Sequence, residues 1–159
     1  RSATEFTRPA DTTAYTAGDV VSNSTSATTL IDLANAVRVN GGSGYVVRVE
    51  VATDKKSITP RLRVHLFNAS NPTVSVDNAA MRQLYADNAK RLGWIDMPAM
   101  TTGTDTTNST MSVTVNDGCR LPVVAGAATT SLYAVLEALD AFTPASGEKF
   151  TVTIFVDGN

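Results

Sequence analysis

The feature that most constrains this chain is a period-two alternation of β-branched residues that returns several times. In Tyr45 to Val51, Val47, Val49 and Val51 fall on one side and Arg48 and Glu50 on the other. After the polar turn Asp54-Lys55-Lys56-Ser57, Leu62, Val64 and Leu66 alternate with Arg61, Arg63 and His65. Such a pattern predicts half-buried strands, because successive side chains of a strand point to opposite faces. The two segments read as a hairpin, with Glu50 available to an arginine across the strands. Met111, Val113 and Val115 alternate with Ser112 and Thr114, and Phe150, Val152, Ile154 and Val156 alternate with Thr151, Thr153 and Phe155. Thr130 to Leu139 is apolar on both faces. A helix of that length is conceivable, but the β-rich surroundings favour a buried central strand.

Weaker signals fill in the rest. Val20-Val21 ends a short strand, and Ala36 to Val39 is a candidate strand before the turn Asn40-Gly41-Gly42-Ser43-Gly44. Asn78 to Tyr85 is ambiguous: Ala79, Ala80, Met81 and Leu84 allow a helical turn that Asn78 would cap. Arg91 to Met97 and Arg120 to Val124 are extended, and Thr101 to Thr110 reads as an exposed loop. About eight strands with little helix predict an all-β, antiparallel β-sandwich, and connections of uneven length suit a jelly-roll-like winding. The expected organisation is an N-terminal arm over residues 1–18, followed by one β-sandwich domain over 19–159. Pro9 blocks helix in the arm and Gly18-Asp19 closes it.

The 159 residues are 43% hydrophobic and 18% charged, with a net charge of −2. That length supports a core without disulfides, and Cys119 is the single cysteine. The balance of charge argues against nucleic acid as a partner, Arg61 with Arg63 being the one basic strip. No apolar run approaches the roughly 18 residues of a membrane span, so no membrane association is expected. Arg1 to Gly18 lacks the apolar segment of a secretory leader, which predicts synthesis in a reducing cytoplasm.

Catalytic chemistry finds little to use. His65 and Cys119 stand alone of their kinds, too few for a histidine or thiolate metal site, and no Gly-X-Ser-X-Gly accompanies them. Asp54, Asp87, Asp105, Asp117 and Asp140 sit in loops, where solvated turn acids are the ordinary reading. The glycine-rich Gly41 to Gly44 precedes a strand and not a helix, so it is no phosphate loop. Trp94, Tyr15, Tyr45 and Tyr85 are the aromatic candidates for a sugar surface, with Trp94 read as core or interface. The expectation is no catalytic residue, no cofactor and no metal.

The opening Thr7-Arg8-Pro9-Ala10-Asp11-Thr12-Thr13-Ala14-Tyr15 with Gly18-Asp19-Val20-Val21 resembles the start of small virion structural proteins of tailed bacteriophages. Three later blocks agree in order: Ala36 to Tyr45, Leu62 to Phe67 with Asp77 to Ala80, and Ala141 to Gly147. The resemblance implies a capsid decoration, or cement, protein made in the host cytoplasm. Such a protein sits on the virion's outer surface and binds the major capsid protein and further copies of itself, as a dimer or trimer. It implies no catalytic residue. The arm then reads as a binding strap whose removal leaves the core folded, with interface residues Phe6, Arg8 and Tyr15 in it and Arg61 and Arg63 beyond it. The competing expectation is a tail- or fibre-associated module that binds a receptor glycan.

Overall fold

The structure, a computed structural model, describes residues 1–56, 58–105 and 107–158. Ser57, in the turn read at 54–57, Thr106, in the loop read at 101–110, and Asn159 lie outside the described residues. The strands are β1 (Ser2–Thr7), β2 (Val20–Val21), β3 (Ile31–Leu33), β4 (Ser43–Thr53), β5 (Leu62–Phe67), β6 (Arg91–Asp96), β7 (Thr101–Thr102), β8 (Ser112–Asn116), β9 (Leu121–Val124), β10 (Leu132–Ala138) and β11 (Lys149–Gly158). They form two antiparallel sheets packed as an all-β sandwich. One sheet runs β1-β11-β4-β8-β7, with β9 beside the first half of β4 and β8 beside the second. The other runs β2-β10-β5-β6, with β3 on the same side of β10 as β2. Two positions in the sandwich are thus each filled by a pair of short strands. The strands that the pattern did not suggest are β1, β3 and β7.

The core is the meeting of the two apolar faces. Val46, Val49, Val51, Phe150, Val152 and Ile154 of the first sheet pack with Leu62, Val64, Leu66, Leu132, Ala134 and Leu136 of the second. Full burial of each larger side chain contributes about 1.5–3 kcal/mol. β10 is the buried central strand that its two apolar faces predicted. Its inner residues join this core, while Val135 joins a smaller cluster on the outside with Val20, Leu30 and Phe67.

Several expectations are corrected. β4 and β5 are not a hairpin, because they lie in opposite sheets. Each has one apolar face, and crossing between sheets lets those faces bury one another. Glu50 therefore pairs with Arg48 of its own strand, at 3.2 Å, and not with Arg61 or Arg63. In β4 the core face belongs to Val46 and not Val47. Phe155 pairs with Arg48 and Val156 with Val46, so Val47 is the extra residue of a bulge that flips the alternation. β8 is turned the other way from its apolar pattern. Ser112 and Thr114 point inward and donate to the Lys55 and Pro98 carbonyls, leaving Val113 and Val115 outside. Ala36 and Val37 are buried, but the segment 36–39 is a turn and not a strand.

The segment 1–18 is built into the sandwich. β1 pairs residue for residue with β11, from Ser2 opposite Ile154 to Thr7 opposite Lys149. The Ser2 and Thr4 hydroxyls donate to the Ala34 and Asp32 carbonyls, which joins this edge to β3 across the sandwich. The sequence shows little of this, since an edge strand buries only alternate residues and two of the three here, Ser2 and Thr4, are polar.

Candidate functional site

Pro9 turns the chain out of β1 and directs Arg8 inward, where it becomes the centre of a buried network. Arg8 is 2% exposed and Tyr15 1%. The Arg8 Nε–H donates to the Tyr15 hydroxyl, and that hydroxyl donates to Asp77 Oδ1 at 2.7 Å. Arg8 Nη2 reaches Asp77 Oδ2 at 3.2 Å, and the Ser22 amide donates to Asp77 Oδ1 at 2.7 Å. Arg8 Nη1 donates to the Asp11 and Ala145 carbonyls. Every polar group finds a partner, the condition for a buried charge to be tolerated. Burial, abetted by the Asp77 carboxylate, raises the Tyr15 hydroxyl far above the ordinary tyrosine value, so it is a neutral donor at any usable pH. Tyr15 also stacks on Phe142, with ring centroids 4.8 Å apart. The network ties the N-terminal segment to the loop that follows β5 and to the loop between β10 and β11.

The outer face of the second sheet carries a different set. Register puts Trp94, His65 and Val135 on one rung and Asp96, Arg63 and Glu137 on the next. Arg63 makes a two-point pair with Asp96, at 2.5 and 3.1 Å, and lies 3.6 Å from Glu137. His65 is fully buried, its Nε2 2.7 Å from Glu137 Oε2, and its Nδ1 has no partner among the described residues. Burial lowers the imidazole's pKa from 6.5 despite Glu137, and the charges of Arg63 and Arg91 add to the effect. The ring is thus neutral, with its proton on the nitrogen that faces the carboxylate. Trp94 is 46% exposed, with the Arg91 and Arg63 guanidinium carbons 4.7 and 5.3 Å from its ring centroid. Trp94 therefore lies on the outer face and not in the core.

Next to Arg91, whose guanidinium lies over Trp94, a cleft of about 230 Å³, open to solvent, lies against the 3-10 helix Tyr85–Lys90. Phe67, Pro72 and Leu84 supply its apolar wall, and Arg82, Gln83, Tyr85, Asn88 and Arg91 its polar one. The helical turn allowed at 78–85 falls here but begins at Tyr85, after an Asn78 held in left-handed backbone with φ 59°. Asp87 in the cleft accepts from Lys90 at 2.8 Å and from the Thr73 amide at 2.7 Å; these bonds hold its carboxyl below the usual range. Arg82 and Arg91 form no ion pair among the described residues.

On the outside of the first sheet, Tyr45 is opposite Pro122 and Ser43 opposite Val124. Their neighbours Val46 and Val123 point into the core, so Tyr45, Pro122 and Val124 form an exposed apolar strip, with Arg120 4.6 Å from the Tyr45 ring.

The chain finds no match among models of known protein families, curated proteins or solved structures. The residues expected at an interface are placed as follows. Arg8 and Tyr15 come together, but inside the fold. Phe6 is half-buried on Phe150, with ring centroids 5.8 Å apart. Arg61 is exposed and paired with Asp140 at 2.7 Å, and Arg63 belongs to the outer-face network. The sequence reading passed over Arg82, Asp87 and Arg91 as a group. Their only signal is a run of charge flanking Tyr85 in a segment without a clear period.

Proposed function

We propose that this chain is a structural protein of a tailed-bacteriophage virion, a capsid decoration protein. In this reading it binds the major capsid protein on the outer head surface and stabilises the head without catalysis. The observation that carries the reading is the exposed strip of Tyr45, Pro122 and Val124 on the outside of the larger sheet. Uncovered apolar residues set in a rigid β surface are a feature of faces that dock other proteins. The enclosure of His65 supports a non-catalytic role, since the chain's one imidazole touches Glu137 and no solvent. The fold is proposed to be a jelly roll. Its support is the order β1-β11-β4-β8 facing β2-β10-β5-β6, the alternation between sheets that two Greek keys produce.

The test is addition of purified chain to heads that lack it, followed by sedimentation and imaging. Saturable occupancy of the head, lost in Tyr45→Asp and Val124→Asp variants that keep their circular dichroism, is the expected result. Label on the tail, or no binding to heads, would overturn the reading and leave the receptor-binding module as its replacement.

A further inference from the structure

We infer that the cleft between the 3-10 helix and the outer face of the second sheet is a binding site for a carboxylate-bearing sugar. The charge argument comes first. Arg82 and Arg91 line one cleft, and neither guanidinium meets a carboxylate among the described residues. The acid that shares the cleft, Asp87, is already engaged by Lys90 and the Thr73 amide. Arg8, Arg48, Arg61 and Arg63 have acidic partners, whereas Arg1, Arg38 and Arg120 also form no ion pair among the described residues; what sets Arg82 and Arg91 apart is that they line one cleft. Two unopposed planar forks suit a carboxylate, which each can grip at two points.

The remaining lining selects what the carboxylate is attached to. Tyr85 is 93% exposed and stands at the cleft without a partner ring, a flat surface for the apolar face of a pyranose. Gln83 and Asn88 offer amide donors and acceptors to ring hydroxyls. A volume of about 230 Å³, somewhat below that of ordinary ligand sites, limits the cleft to about one sugar ring, and further units of a chain would lie outside it. A bare phosphate would meet the arginines but leave the apolar wall unfilled. Arg91 is also held in advance, since its guanidinium is stacked 4.7 Å from the Trp94 ring, which reduces the ordering cost of binding. The site is independent of the apolar strip on the opposite sheet, so it stands or falls apart from the proposed docking to a virion head.

The experiment is a titration of the full chain, followed by amide NMR, with a galacturonate trimer, the neutral galactose trimer and inorganic phosphate as separate probes. The expected result is saturable shifts at Thr73 and at residues 82–91 with the acidic trimer, in about the millimolar range or tighter. The neutral sugar and phosphate should each bind at least about tenfold more weakly, as loss of a charge-assisted pair or of the stacked ring implies. Arg82→Gln and Tyr85→Ala alter exposed side chains and leave the core untouched, and each should weaken the acidic trimer about tenfold. The proposal is overturned by shifts that do not saturate, by an equal response to phosphate or to the neutral sugar, or by affinity that both variants leave unchanged.

Discussion

His65 Nε2 lies 2.7 Å from Glu137 Oε2 across the β5–β10 pair, on a ring with no exposed surface. Burial favours the neutral ring, so the folded-state pKa lies below the ordinary 6.5. Below about pH 6.5 the unfolded chain therefore takes up a proton that the folded chain refuses, and stability falls with pH until the folded ring is protonated. Above that pH the contribution is fully present. The urea midpoint should drop between pH 7 and 5, and His65→Gln should flatten that slope. Parallel slopes for the two proteins would mean that the folded ring protonates freely.

The Arg8–Tyr15–Asp77 network should be costly to open. Tyr15→Phe leaves Arg8 Nε without its acceptor and Asp77 without one donor, a loss of about 1–3 kcal/mol. Asp77→Ala leaves a buried guanidinium with no carboxylate in reach except the half-buried Asp11, and about 3–5 kcal/mol is expected. Urea unfolding of both variants checks the order: Asp77→Ala must be the worse.

The same network changes what truncation does. Removing residues 1–7 strips β1 and the Phe6–Phe150 stack but leaves Arg8 in place. A loss of roughly 2 kcal/mol follows from the exposed Phe150 edge, a fall in Tm of about 4–8 °C for a chain of this size. Removing residues 1–18 also takes Arg8 and Tyr15 and leaves Asp77 with the Ser22 amide but without its guanidinium and hydroxyl partners, so the core should not fold stably. Thermal melts of the two truncations, followed by circular dichroism, distinguish a strap from a structural edge. Equal, native-like melts would restore the free arm that the sequence suggested.

That contrast shows where the residues were legible. The alternation in β4, β5 and β11, and the two apolar faces of β10, identified the core strands, because their inward residues are mostly large and apolar. It failed wherever burial was made by hydrogen bonds. Ser112 and Thr114 face inward on backbone carbonyls, and Arg8 is enclosed by partners 69 and 137 residues away. No local period encodes such partners. Pairing failed for a related reason: one-sided strands can bury their faces across a sandwich, as β4 and β5 do. Trp94 was visible as a candidate, but Arg82 and Arg91 come to line one cleft through a loop without period.

At the surface, Asp140 offers a direct reading of one contact. It accepts from the Arg61 side chain and from the Arg61 backbone amide, and these bonds lower its carboxyl pKa to about 2. The carboxyl carbon shift of Asp140 should remain that of the anion down to about that pH. In Arg61→Gln the titration should move up toward the ordinary 3.8, part of the way, because the backbone bond persists. An unmoved titration would assign the shift to the backbone alone.

Gly93 couples the fold to the Trp94 surface. It follows the extra residue Leu92, where β6 slips against β5, and its φ is 140°, a region that side chains disfavour. A Cβ there would lie 2.9 Å from Leu121 Cδ1 of β9, so an alanine must displace the tip of that leucine, which packs against the core. Backbone strain and overpacking together should cost Gly93→Ala about 1–3 kcal/mol. Trp94 is the only tryptophan and sits next in the chain, so its fluorescence reports the displacement directly. The expected result is a lower urea midpoint together with a changed emission maximum in the folded state. A variant with wild-type stability and emission would show that β6 reaches Trp94 without the left-handed turn, and the stacking of Arg91 on that ring would need another support.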